Sequence, residues 1–230
     1  MSGAPVLLVT GGSRGIGAAV CRLAASQGWR VAVNYASNKD AADAVVSDIV
    51  GQGGEAFAVK GDVGNAADIT AMFAAVDKHF GRLDGLVNNA GIVDQPQRVD
   101  EMSVERIERM MRINITGSVL CAAEAVRRMS THHGGRGGSI VNISSMAAII
   151  GSPSQYVDYA ASKAAIDTFT IGLAREVATE GVHGAFHSDA AARNGRRGRG
   201  CGALSSLFEF FLCDRRHHEC ERRALGISIS

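Results

Sequence analysis

The sequence has almost no charge imbalance: its basic and acidic side chains leave a net +1 over 230 residues. No global field therefore favours nucleic acid, an anionic membrane or an acidic partner. Long apolar runs are also missing, since nothing approaches the roughly 18 residues a membrane span needs. Met1 to Gly12 carries no basic leader, and its apolar run is too short for a secretion signal. Cysteines number five, an odd count that argues against a disulfide framework. Cys21 and Cys121 fall within apolar helical patterns and read as small core residues. What remains is an ordinary hydrophobic content of 46% and enough length for one α/β domain with a substantial core. These bounds predict a cytoplasmic, enzyme-sized domain.

Ser139 to Lys163 is the stretch richest in chemistry. Ile140, Val141 and Ile143 read as a buried parallel strand, with Ser144 and Ser145 at its end. A turn at Gly151 to Pro153 leads to a helix carrying Tyr159 and Lys163. Their spacing of four places phenol and ammonium side by side on one helix face. A free tyrosine, with a pKa of about 10, exchanges protons poorly near neutrality. A lysine cation beside it stabilises the phenolate and brings it toward working pH. A hydroxyl from the strand end can then hold a substrate oxygen. The pattern predicts carbonyl/alcohol redox chemistry, although a Tyr and a Lys four apart also occur in many helices without any such role.

The other end of the chain supplies the companion motif. Val6 to Val9 form a short continuous apolar strand running into Thr10, Gly11, Gly12, Ser13, Arg14, Gly15, Ile16 and Gly17. A helix pattern follows, with Ile16, Val20, Leu23 and Ala24 on one side and Gly28 as its stop. Strand, glycine turn and helix is the context that makes such glycines informative. A backbone approaches a pyrophosphate only where Cβ is missing, and a helix N-terminus offers free N–H groups. Val31 to Val33 form a second strand. An NAD site would end it in Asp or Glu for the ribose 2′-hydroxyl; here Asn34 stands there and Arg14 sits in the loop. A cation beside a neutral polar strand end suits a 2′-phosphate, which predicts NADP over NAD. A solvated loop residue is the plainer reading of Arg14.

Further units repeat the alternation. An alanine-rich helix from Asp40 ends at Gly51 to Gly54, and a third strand from Glu55 to Val59 leads to Asp62 and Val63. Asp62 is placed to bond an adenine amino group or to cap the next helix. Residues 67–80 carry Ile69, Met72, Phe73 and Val76 at helical spacing. Leu83 to Val87 form a fourth strand running into Asn88, Asn89, Ala90 and Gly91, small and amide-bearing residues that allow close backbone approach. A long helix from Ser103 through Asn114 continues, with a kink, to Met129. Asn114 among apolar neighbours reads as a satisfied core amide or as a water-mediated link to Lys163. His132 and His133 have no third ligand nearby, so no metal is expected. Repeated β-α units predict an α/β fold, a Rossmann-type doubly wound parallel sheet.

These residues together resemble the short-chain dehydrogenases/reductases. Thr10 to Gly17, Asp62-Val63, Asn88 to Gly91, Asn114, Ser145 and Tyr159 to Lys163 carry the resemblance, in order, over residues 4–182. Within the family the chain is similar to bacterial 3-oxoacyl-carrier-protein reductase-like and glucose-dehydrogenase-like members. The resemblance implies Tyr159 as general acid/base and Lys163 as the residue that assists it and holds the nicotinamide ribose. Ser145 would polarise the carbonyl, with Ser144 its neighbour in register, and Asn114 would anchor a relay water. Gly11, Ser13, Arg14, Gly15, Ile16, Gly17, Asn34, Asp62, Val63, Asn89, Ala90, Gly91, Tyr159 and Lys163 would hold the coenzyme. A homo-oligomer, dimer or tetramer, is implied, with a small carbonyl or alcohol as substrate.

After Val182 the family pattern lapses. Residues 183–230 contain eight arginines, no lysine, no proline and three of the five cysteines, with no alternation suggestive of a buried strand. They read as a shifted reading frame or a sequencing artefact; taken as real, they would leave the fold without its last strands and the fifth strand at the sheet edge. Cys213, His217, His218 and Cys220 fit no zinc spacing. Two readings follow: an NADP-dependent oxidoreductase, or a nucleotide-binding protein that is silent because its substrate half is missing.

Overall fold

The computed structural model describes residues 3–187. Six strands, β1 (Val6–Val9), β2 (Arg30–Tyr35), β3 (Ala56–Lys60), β4 (Gly85–Asn88), β5 (Gly138–Ile143) and β6 (Val182–His187), form a parallel sheet in the order β3-β2-β1-β4-β5-β6. Helices α1 (Gly15–Ser26), α2 (Lys39–Gly51), α3 (Ala66–Phe80), α5 (Ser118–Met129) and α7 (Val157–Val177) cover it, with the shorter α4 (Val104–Met111) and α6 (Ala147–Ile150) near the strand ends. This is the expected Rossmann-type sheet.

β1 explains why its sequence is continuously apolar. Val6 and Leu8 join the core with Phe73, Leu86 and Ile140, whereas Leu7 and Val9 join the opposite core with Val31, Val33 and Val141. Successive side chains point to opposite faces, and both faces are covered, so no position in the strand is left for a polar residue. From β1 the chain winds to β2 and β3 on one side, and from β4 to β5 and β6 on the other. The order reverses between β1 and β4, and the crevice at the carboxyl ends of these two strands is the natural ligand site of such a sheet.

β6 corrects an expectation. It runs from Val182 to His187 and pairs with β5 from Gly138↔Val182 to Ile143↔His187, so β5 is an interior strand. β6 lacks an apolar alternation, but Val182 anchors its start in the core beside Ile140 and its backbone pairs with β5 along its length. Residues 188–230, with the expected frame-shifted tail, lie outside the described residues.

The helix expected to kink after Ser103 is two helices. α4 and α5 are joined by a π-helical turn over Arg112–Gly117, a local insertion often found at functional positions. Asn114 sits in it. Gly117 closes the turn because a Cβ there would lie 2.5 Å from the Val63 carbonyl oxygen; only glycine lets the helix pass this loop. Of the residues expected on one side of α1, Val20 and Ala24 are buried, while Ile16, in the first turn, is half exposed.

Candidate active site

The glycine loop and the segment after β4 meet at the β1/β4 crevice. Thr10 Oγ1 accepts hydrogen bonds from the backbone N–H groups of Asn89 and Ala90, each at 3.0 Å. Asn89 Nδ2 returns the tie by donating to the carbonyls of Thr10 (2.9 Å) and Gly11 (3.0 Å). Asn34 is turned inward. Its Oδ1 accepts from Gly11 N at 3.0 Å and its Nδ2 donates to the Gly61 carbonyl at 3.0 Å. Its part at the site is thus to set the glycine loop against β2 and the end of β3.

These contacts leave a cradle shaped by absent side chains. A Cβ on Gly11 would lie 3.1 Å from Ala90 Cα, and one on Gly17 would lie 2.3 Å from the Gly11 carbonyl oxygen. Arg14 caps α1 with extended backbone and no side-chain hydrogen bond to the helix, so the first N–H groups of α1 face the loop, ready for an anion. Gly12, Ser13 and the exposed Arg14 and Gly15 complete it. A dinucleotide pyrophosphate fits this geometry. Asp62 lies exposed at the end of β3, where its Oδ1 accepts from Gly64 N at 2.8 Å. The cap of α3 is Asn65, which accepts from Ala67 N and Asp68 N, so Asp62 is not a capping residue. Val63 is buried beneath.

Across the crevice, α7 presents Tyr159 and Lys163. Lys163 is only 6% exposed, and its Nζ donates to the Ile143 carbonyl at the end of β5 at 2.7 Å. The same nitrogen lies 5.8 Å from the centre of the partly exposed Tyr159 ring. The two serines divide. Ser145 is partly exposed and its Oγ accepts from Ala147 N at 3.2 Å, whereas Ser144 is buried. Ser144 faces Asp167, whose carboxyl burial pushes up while Ser144 and the Lys163 cation draw it back.

Asn114 is a satisfied core amide. Its Oδ1 accepts from Ile92 N at 2.8 Å, and its Nδ2 donates to the Ile92 carbonyl at 2.9 Å and to Ser162 Oγ at 3.1 Å. It also borders Lys163: a Cβ built on Gly91 would lie 3.3 Å from Asn114 Oδ1 and 3.7 Å from Lys163 Nζ. The missing side chain of Gly91 therefore leaves a polar gap flanked by both groups. Sequence reasoning missed Arg106 and Asp158, whose ion pair is buried one residue from Tyr159, and Ser162, which accepts from Asn114 and donates to the Tyr159 carbonyl at 2.7 Å. The carboxylate adjacent to Tyr159 was the available signal for the first.

Burial pushes the Lys163 ammonium from an ordinary 10.5 down to about 8, with Asp167 opposing the shift. Because the folded-state value is below the unfolded one, the cost of burying the cation is fully present below pH 8. It is relieved as pH rises from about 8 toward 10.5, by about 3 kcal/mol in all. The parent is thus expected to gain stability relative to Lys163→Met across that window, with a constant difference below it. Urea unfolding of both chains at a series of pH values checks this; a difference that stays flat throughout would contradict it.

Residues 5–185 match the family model described as short chain dehydrogenase. The chain belongs to this family. Among curated relatives, an uncharacterized oxidoreductase, YgfF, of Escherichia coli is 48% identical over 200 residues, covering 84% of this chain and 81% of the relative. A 3-oxoacyl-[acyl-carrier-protein] reductase of Synechocystis is 41% identical over 179 residues, covering 78% and 70%. Among solved structures, a short-chain dehydrogenase/reductase from Serratia marcescens aligns with a TM-score of 0.74 at 34% identity, covering 81% of this chain and 73% of that one. The chain is therefore a short-chain dehydrogenase/reductase, an enzyme of the oxidoreductase class that uses a nicotinamide coenzyme. Among the described residues, no helix is long and apolar enough to cross a membrane.

Proposed function

We propose that the chain is an NADP-dependent oxidoreductase of carbonyl and alcohol substrates, working through Ser145, Tyr159 and Lys163 with Asn114 behind them. The observation that carries this reading is the placement of Lys163. A buried ammonium, fixed to the end of β5, stands one helical turn from a partly exposed phenol. Burial of a cation is expensive unless it has a task or a partner.

The coenzyme, when bound, supplies or accepts the hydride. The first N–H groups of α1 and the backbone at Gly11, Gly15, Ile16 and Gly17 hold its pyrophosphate. Arg14 pairs with a 2′-phosphate, Asp62 and Val63 border the adenine, and Asn89, Ala90 and Gly91 form the floor. Ser145 Oγ donates to the substrate oxygen and Tyr159 exchanges its proton with that oxygen. Lys163, charged at neutral pH, stabilises negative charge at the phenol and holds the ribose. The likeness to the Synechocystis 3-oxoacyl-[acyl-carrier-protein] reductase makes a 3-oxoacyl compound a member of the substrate panel.

The test is NADPH consumption with a panel of ketones, repeated with NADH. Arg14→Ala is expected to raise the KM for NADPH about tenfold or more, the worth of a hydrogen bond between charged groups, and to leave that for NADH unchanged. Equal effects on both coenzymes would overturn the assignment of Arg14. The lapse of the family pattern after Val182 favours a second reading, a nucleotide-binding protein without turnover. That reading predicts NADPH binding with no consumption. We also propose that the chain assembles with copies of itself.

A further inference from the structure

The segment after Gly91 is tied first to Asn114, through Ile92, and then to Gln155 ahead of α7, through Gln97. Arg106, on α4, reaches two elements at once. Its Nε and Nη2 donate to the two carboxylate oxygens of Asp158, at 2.8 and 3.2 Å. Its Nη1 donates to the Gln95 carbonyl at 2.7 Å and to Gln97 Oε1 at 3.0 Å. Gln97 N donates in turn to the Gln155 carbonyl at 3.0 Å. Asp158 lies in the first turn of α7, where its Oδ1 also accepts from Tyr159 N at 2.9 Å. Both side chains of the pair are buried, 9% exposed for Arg106 and 3% for Asp158.

We propose that Arg106 and Asp158 are positioning residues: the forked guanidinium fastens the segment 95–97 to the first turn of α7 and thereby fixes Tyr159 over the site. The idea rests on the reading of Tyr159 as the acid/base. Burial works against the Asp158 charge, yet the bonds from Arg106 and from Tyr159 N outweigh it and hold the carboxyl below its ordinary range. The pair is therefore ionised at neutral pH. A planar fork is what this geometry needs, because one side chain serves a carboxylate and a carbonyl in different directions. A lysine would keep the charge and lose the second anchor.

A purely structural pair makes a different prediction. Buried ion pairs are often replaced by apolar residues of similar volume without loss of stability. The discriminating variant is Arg106→Met/Asp158→Leu in the full chain, with Arg106→Lys beside it. Three quantities are read: Tm, NADPH affinity by fluorescence, and kcat at saturating substrates. The double variant is expected to keep a near-parental Tm and NADPH affinity and to lose kcat by about 10²-fold, the scale of a misplaced catalytic group. Arg106→Lys is expected to fall short of restoring it. Parental kcat in either variant overturns the proposal, as does a kcat that declines only in step with Tm. Hydrogen exchange separates this failure from that of the oxidoreductase reading. In the double variant, amides of residues 92–98 and 156–160 are expected to exchange faster together, by tenfold or more, while the sheet is unchanged. A parent without turnover sinks the oxidoreductase reading, and unchanged exchange in those two segments sinks the tie.

Discussion

Tyr159→Phe is expected to lower kcat by about 10²–10⁴-fold, the range of a lost general acid/base, with NADPH affinity and Tm unchanged. Phenylalanine keeps the ring in its place beside Lys163 and removes only the hydroxyl. Because Tyr159 is partly exposed, the substitution leaves no buried polar group without a partner. Loss of turnover accompanied by loss of stability would mean that the hydroxyl has a structural task instead. Steady-state kinetics with a thermal melt of the same preparation checks both.

Gly17→Ala is expected to abolish coenzyme binding within the measurable range and to destabilise the fold by at least the 1–3 kcal/mol typical of overpacking. The new Cβ would meet the Gly11 carbonyl oxygen at 2.3 Å and Asn89 Nδ2 at 2.6 Å. Neither can retreat easily, because these two atoms are bonded to each other at 3.0 Å and Gly11 N is held by Asn34. Gly28→Ala is the control. Gly28, past the far end of α1 from the loop, has open space around its Cβ position and a φ of +85°, so alanine there costs only the left-handed backbone penalty of about 1–2 kcal/mol. Isothermal titration with NADPH, alongside urea unfolding, distinguishes the two glycines. Equal losses would mean that the contact with Gly11 and Asn89 does not decide the cradle's shape.

The parts of the fold that could be read from the sequence are those whose signals are local. β1 is announced by four apolar residues because it is covered on both faces, and the loop after it by glycines that the β1–α1 turn and the close approach of Ala90 require. Tyr159 and Lys163 were legible as a pair because helical spacing alone brings them together. β6 was not, because His183, Gly184 and Ala185 carry no alternation, and the strand exists through its pairing with β5. Asn34 stood at the right strand end, but which way its amide turns depends on Gly61, a residue far along the chain. The carboxylate beside Tyr159 pointed to Asp158, but its pairing with Arg106 was out of reach for the same reason. Its members lie 52 residues apart, and nothing in either neighbourhood names the other. The π-helical turn at Asn114 was visible only as a kink, and the close approach of Gly117 to Val63, far earlier in the chain, leaves no mark on the local pattern.

Transfer of deuterium from the nicotinamide of labelled NADPH to a ketone tests the central claim most directly. The parent chain is expected to yield an alcohol with one deuterium on its carbinol carbon, and Tyr159→Phe to yield almost none. Coenzyme that binds but leaves every ketone unlabelled, or equal labelling by the parent and Tyr159→Phe, would contradict the account.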